Sequence, residues 1–381
     1  MVSRADRSVF AEWWWTVDRL LLALFLLLIM AGVVLSFAAS PAVAQRLGLD
    51  SLYFVKRQIV FALPAIPILV ATSFMDARTL RRVCLVVFVV ALALMAATLV
   101  VGAEIKGARR WISLAGLSLQ PSEFVKPAFV ILAAWLFAES VKRPDMPGVP
   151  LALALVGSVA GLLVLQPDFG QTLLIVLVWA ALYFMAGMPW LLIAGLGGAG
   201  AAALVAAYEA VPHVRKRIDS FLDPAAVSYQ IEQALKSVGN GGFLGRGPGE
   251  GAAKRVLPDA HTDFIFAVVV EEYGALLAMV LVAVFAAIIM RGLMRSLREE
   301  DLFTRLAIAG LVLLFGLQAS INFAVNLHMM PAKGMTLPFI SYGGSSALAM
   351  AFGMGLLLAL ARRRPRLAVR SRPVAAAGSA A

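Results

Sequence analysis

The stretch LLLALFLLLIMAGVVLSF, residues 20–37, runs for eighteen residues without a charge. At 1.5 Å per residue a helix of that length rises roughly 27 Å, close to the hydrocarbon thickness of a bilayer. It is too long for the apolar core of a secretory signal, and no small-residue cleavage site closes it off. It is therefore expected to remain as a membrane-spanning helix. Apolar stretches of the same kind recur at 17–38, 58–75, 83–102, 122–140, 150–166, 171–187, 189–208, 263–290, 305–327 and 338–361. They predict an all-α polytopic membrane protein of about ten transmembrane helices.

Composition points the same way. Of 381 residues, 61% are hydrophobic and 14% charged, where a soluble chain carries about a quarter charged. That shortfall excludes an ordinary soluble enzyme, a coiled coil and a disordered regulator. The net charge of +11 reads as basic residues flanking spans rather than as a nucleic-acid surface. One cysteine, Cys84, excludes an internal disulfide framework and any cysteine-based metal site.

Orientation follows from the basic residues. With both termini cytoplasmic, 18 of the 33 Lys and Arg fall inside, among them Arg78, Arg81, Arg82, Arg291 and the tail arginines. Seven of the other 15 lie on one long loop, where the positive-inside rule is weak. The expected organisation is a cytoplasmic segment 1–16, a transmembrane domain 17–361 and a basic, disordered cytoplasmic tail 362–381. Outside lie Gly102–Pro121, the long loop of about 209–262 before the eighth span, and His328–Leu337. The cytoplasmic connections are short and hold no nucleotide site, so the chemistry is expected on the outer side. No internal repeat is evident, which disfavours inverted-repeat transporter plans.

Several outer residues are chemically suggestive. Arg109 and Arg110 beside Trp111 can clamp a phosphate and stack on a sugar or headgroup, or simply anchor a helix end at the interface. Gln120-Pro121-Ser122-Glu123 reads as a helix start, with Glu123 and Lys126 on one face. A charged pair just inside a span marks a functional site or an ion pair that fixes packing. Gln166-Pro167-Asp168 reads as a structural turn. The glycine-rich run 239–251 lacks the Gly-Lys-Ser/Thr ending of a nucleotide loop, and either approaches a substrate or only connects. Asp263 stands where a span meets water, with Asp259 and His261 close in sequence. Thr262 or Asp263 can serve as a helix N-cap, but the setting also suits Asp263 as a general base. Three histidines in the whole chain argue against a dedicated metal cage. Glu271 and Glu272, two turns deeper, read as packing groups rather than a proton path. Lys333 before the last span meets an anionic headgroup or snorkels, and the small residues around Ser341 permit close helix packing.

Taken together, Arg-Arg-Trp-Ile at 109–112, Gln-Pro-Ser-Glu-Phe-Val-Lys at 120–126, Gln-Pro-Asp-Phe-Gly at 166–170, Leu-Pro-Asp-Ala-His-Thr-Asp-Phe-Ile-Phe at 257–266 and Lys-Gly-Met-Thr-Leu-Pro-Phe-Ile-Ser-Tyr-Gly-Gly-Ser-Ser at 333–346 resemble the SEDS family of peptidoglycan polymerases, which comprises FtsW, RodA and SpoVE. The segments lie in family order over roughly 105–350, and Lys333-Gly-Met-Thr resembles the division branch. Tyr273 departs from the more usual leucine, and Pro127 after Lys126 is uncommon. The resemblance implies a ten-span glycosyltransferase of the inner membrane, placed at the division septum, that polymerises lipid II on the outer face. It implies Asp263 as the essential acid. It places the family's loop tryptophan on Trp111 and its Glu-x-x-Lys pair on Glu123 and Lys126; from the residues themselves, Arg109, Arg110, Arg246, His261, Lys333 and Ser341 are further candidate substrate-binding groups. It further implies a single-span class B penicillin-binding protein as partner. No tightly bound cofactor is expected, with Mg or Mn an alternative to basic side chains for neutralising the departing diphosphate. A lipid II flippase and a non-catalytic divisome scaffold are the competing expectations. The flippase would need a continuous polar path, and the scaffold would leave Asp263 dispensable.

Overall fold

The computed structural model describes residues 8–105, 108–114, 117–210, 215, 219, 229–257, 259–331 and 334–362. A short helix α1 (Val9–Thr16), capped by Ser8, precedes α2 (Arg19–Arg46), α3 (Tyr53–Ser73) and α4 (Ala77–Val101). After a small sheet come α5 (Pro121–Lys142), α6 (Gly148–Leu165), α7 (Phe169–Met185) and α8 (Trp190–Ala210). The amphipathic helix α9 (Tyr229–Gly241) and a single turn, Ala253–Arg255, lead into α10 (Ile265–Leu297), α11 (Leu302–Asn326) and α12 (Gly344–Leu360). The ten expected apolar helices are α2–α8 and α10–α12. Eight are long and apolar enough to cross a membrane, and α7 and α12 stop at 17 residues each.

Aspartates start many of these helices. Asp18, Asp76, Asp168 and Asp301 each accept a backbone N–H from the first turn of the helix that follows, which satisfies amides that would otherwise lack partners. Inside, α5, α11 and α12 are the enclosed helices, each with well over half of its residues buried. Glycines permit the tightest approach, where α12 lies along α3. A Cβ on Gly355 would fall 1.7 Å from Thr72 Oγ1, and one on Gly344 would fall 2.3 Å from the Phe61 ring.

Three expectations need correction. The segment 102–121 is not a plain loop: β1 (Ala103–Ile105), β2 (Ala108–Leu114) and β3 (Leu117–Leu119) form an antiparallel meander, so the chain is not wholly helical. Glu104 and Arg109 sit opposite each other across it, 3.5 Å apart. Neither Thr262 nor Asp263 caps α10; its N-cap is Phe264, which has no side-chain acceptor to offer. The last span begins at Gly344 rather than 338, because Leu337–Ser341 forms a turn with Phe339 at φ 63.

α10 is broken at Gly274, whose φ 83 and ψ 171 lie in a region essentially closed to other residues. The break frees backbone groups, and the glycine-rich loop takes them up. Arg246 and Gly247 N–H donate to Glu271 and Glu272 O, while Ala275 and Leu276 N–H donate to Gly242 and Phe243 O. Glu271 accepts from Ala252 N, Lys254 N and Ser237 Oγ, and Glu272 pairs with Lys254 and accepts from Gly249 N. The run 239–251 is thus stitched onto α10 and is not a loose connection, and the two glutamates act as packing groups.

Candidate active site

Residues 259–264 pass over the Tyr53 end of α3 and the Asn326 end of α11 in a tight turn, with Asp259 at φ 56 and Thr262 N donating to Asp259 O. The turn is held by its backbone. Asp263 O accepts from Asn322 Nδ2 and from Asn326 Nδ2, each at 2.9 Å. Thr262 O accepts from Ser341 Oγ at 2.6 Å, and Ser341 Oγ in turn accepts from Leu337 N at 2.7 Å. With its backbone oxygen fixed, the Asp263 side chain remains partly exposed. A Cβ built on Gly334 would sit 3.7 Å from Asp263 Oδ2, so the carboxylate faces the segment that leads to α12 with room for one side-chain atom between them.

His261 contributes through its ring. It packs on Phe54 at 4.3 Å and on Tyr342 at 5.4 Å, and its carbonyl accepts from Tyr342 N. Arg57, one turn along α3 from Phe54, donates to Tyr53 Oη at 3.1 Å with its guanidinium over that ring. It is a basic group beside this cluster that the sequence reading missed. Among the described residues no three His, Cys, Asp or Glu side chains stand together as a metal site.

A second polar centre lies deeper. Lys126 Nζ donates to Glu123 Oε1 at 2.9 Å and to Gln171 Oε1 and Gln318 Oε1 at 3.0 Å, so its three protons are directed to three acceptors on α5, α7 and α11. Glu123 and Lys126 are 4% and 2% exposed, and at that burial the pair ties three helices together. Gln171 Nε2 also donates to Glu123 Oε1. At the outer edge of this centre Asp168 caps α7 and meets Arg110 Nη1 at 3.2 Å. Arg110 further donates to Gln166 O and Pro167 O, which binds β2 to the α6–α7 turn. Burial pushes the Asp168 carboxyl above its ordinary range, and the Arg110 charge works against that rise.

The suggested residues therefore fall into separate groups. His261, Asp263 and Ser341 come together at the 259–264 turn. Arg110, Glu123 and Lys126 belong to the inner support, with Trp111 half-buried on β2 above it and Arg109 exposed in its cross-strand pair. Arg246 is exposed, its backbone bonded to α10 at Glu271, about 12 Å of helix rise from Asp263. Lys333 lies outside the described residues. Joining the two centres are Gln318, Asn322 and Asn326, spaced four apart on one face of α11. Three amides at helical spacing in an apolar span were a legible signal, and the sequence reading passed over them.

Comparison with known proteins matches residues 18–366 to the cell cycle protein family of FtsW, RodA and SpoVE. A Caulobacter vibrioides protein named probable peptidoglycan glycosyltransferase FtsW is 47% identical over 365 residues, covering 95% of this chain and 94% of its own. A Trichlorobacter lovleyi protein of the same name is 35% identical over 350 residues, covering 90% and 92%. Among solved structures, a chain of a peptidoglycan synthase complex that coordinates polymerization and crosslinking superposes with TM-score 0.77 at 29% identity, covering 91% of this chain and 97% of that one. The rod shape determining protein RodA of Thermus thermophilus superposes with TM-score 0.66 at 28% identity, covering 92% and 99%.

Proposed function

The chain belongs to the FtsW/RodA/SpoVE family of cell cycle proteins, and from that membership we propose that it is a septal peptidoglycan glycosyltransferase whose general base is Asp263. The substrate is lipid II. Asp263 takes the proton from the acceptor sugar hydroxyl as that oxygen attacks the anomeric carbon of the donor glycan. The bond from that carbon to the diphosphate oxygen breaks, and undecaprenyl diphosphate departs. A base for such a step must be open to substrate yet held in place. The observation that carries this reading is the fixed Asp263 backbone, bonded twice from α11, beneath a partly exposed carboxylate.

The leaving diphosphate needs positive charge. Arg110 is already engaged with Asp168. Gly334 faces the Asp263 carboxylate, so Lys333, its chain neighbour, is the basic residue whose sequence position best suits the task. The ten apolar helices span the inner membrane with both termini cytoplasmic, and the undecaprenyl tails lie in grooves between them. A single-span class B penicillin-binding protein is the partner at the septum, in keeping with the likeness to a synthase complex.

The test is polymerisation of labelled lipid II by the purified protein with its partner, comparing wild type with Asp263→Ala. Glycan from the wild type and none above background from the variant is the expected outcome. Equal glycan from both removes Asp263 as base. Lipid II translocation without any glycan from the wild type favours a flippase instead.

A further inference from the structure

Asn322 has one NH2 group, and its two protons go to two different segments: Asp263 O at 2.9 Å and Met335 O at 2.7 Å. These segments are the ones that face each other where Asp263 Oδ2 looks onto Gly334. The neighbours on α11 complete the clamp. Asn326 Nδ2 donates to Asp263 O, and Asn326 Oδ1 accepts from Ala267 N, so it supplies from another helix the cap that Phe264 cannot give to α10. Gln318 Nε2 donates to Thr336 O while its Oε1 accepts from Lys126, which makes the buried ion pair a foundation for the Met335–Thr336 segment. Asn322 itself is 1% exposed and cannot touch substrate.

We propose that Asn322 is a positioning residue of the glycosyl transfer: by bridging the Asp263 and Met335 carbonyls it sets the spacing of the two walls and with it the place of the Asp263 carboxylate. The inference rests on the reading of Asp263 as base. Its consequence is a loss that falls on turnover more than on substrate binding, because the base shifts while no group of Asn322 itself touches substrate. A displacement of about 1 Å at a reacting group costs on the order of a hundredfold in rate.

The test uses the full chain in complex with its partner and labelled lipid II, with initial glycan-forming rates measured across substrate concentration. Asn322→Leu, which keeps the branched shape and removes both donors, is expected to lower kcat about a hundredfold with KM within about threefold of wild type. Asn322→Ser keeps a single donor and is expected to lower kcat about tenfold with an unchanged melting temperature. It decides the question should the leucine variant not fold. Wild-type kcat in the folded variants, or a rise in KM that accounts for the whole loss, overturns the proposal. Asp263→Asn, measured alongside, separates the two readings. If it is active, the base assignment falls; if it is inactive while Asn322→Ser has wild-type kcat, the base stands and the positioning role falls.

Discussion

Asp263 and Lys126 show what burial does to two charged residues in one chain. Asp263 keeps its carboxylate partly exposed and gives up its backbone oxygen to α11. Lys126 has every proton taken by a buried acceptor. Removing one partner of such a pair leaves the other charged in an apolar interior, at about 3–5 kcal/mol, whereas replacing both by apolar groups is close to neutral. Lys126→Met is therefore expected to lower stability by about 3–5 kcal/mol, and Lys126→Met with Glu123→Leu to recover most of it. Thermal unfolding in detergent, read on both variants, checks this. A single variant as stable as wild type would mean that the pair does not hold α5, α7 and α11 together. The sequence placed the pair on one helical face but could not choose between function and packing, because the choice depends on Gln171 and Gln318, which come from distant helices.

At the scale of elements, the hydrophobic runs were legible and the joins between them were not. Each apolar run became a helix because length and composition suffice for that. The meander at 103–119 escaped notice because its outer strands are three residues each, too short for an alternation to register. The break in α10 escaped for a different reason. Glycine within a span is common in membrane helices, and only the loop packed against it at Phe243 and Gly245 makes Gly274 necessary. A Cβ there would fall 2.2 Å from Phe243 O and 2.5 Å from Gly245 N, at a φ that side chains avoid. Gly274→Ala is expected to straighten α10, expel the loop 242–247 and destabilise the protein by about 1–3 kcal/mol from backbone strain alone. Hydrogen exchange at Ala275 and Leu276, whose amides bond to the loop, should rise in the variant. Unchanged protection there would show that the splice survives.

Across the whole molecule, the two ends are built by different means. At the end away from Asp263, α1 folds against α3 and α12: Trp13 Nε1 donates to Ser73 Oγ at 2.8 Å, and its ring stacks on Phe74 at 4.8 Å. Arg362, just past α12, closes this end by donating to Thr16 Oγ1 at 2.9 Å and standing 3.5 Å from Glu12. Its carbonyl accepts from Arg295 of α10. The Asp263 turn is linked to this end by α10, which is broken at Gly274, and by α3 and α12, of which α3 alone rises roughly 30 Å over its 21 residues. The glycine-tight contact of α3 with α12 transmits position but offers no second packing for a switch, since a Cβ at Gly355 would already overlap Thr72. Loosening one end should therefore leave the other as it was. Arg362→Gln is expected to free α1, raising amide exchange in residues 9–16 by about tenfold for each 1.4 kcal/mol of lost anchoring. The rate of glycan formation should stay within about twofold of wild type, because no bond of the Asp263 turn is touched. A parallel fall in that rate would mean that the end bearing Arg362 and the Asp263 turn move as one body.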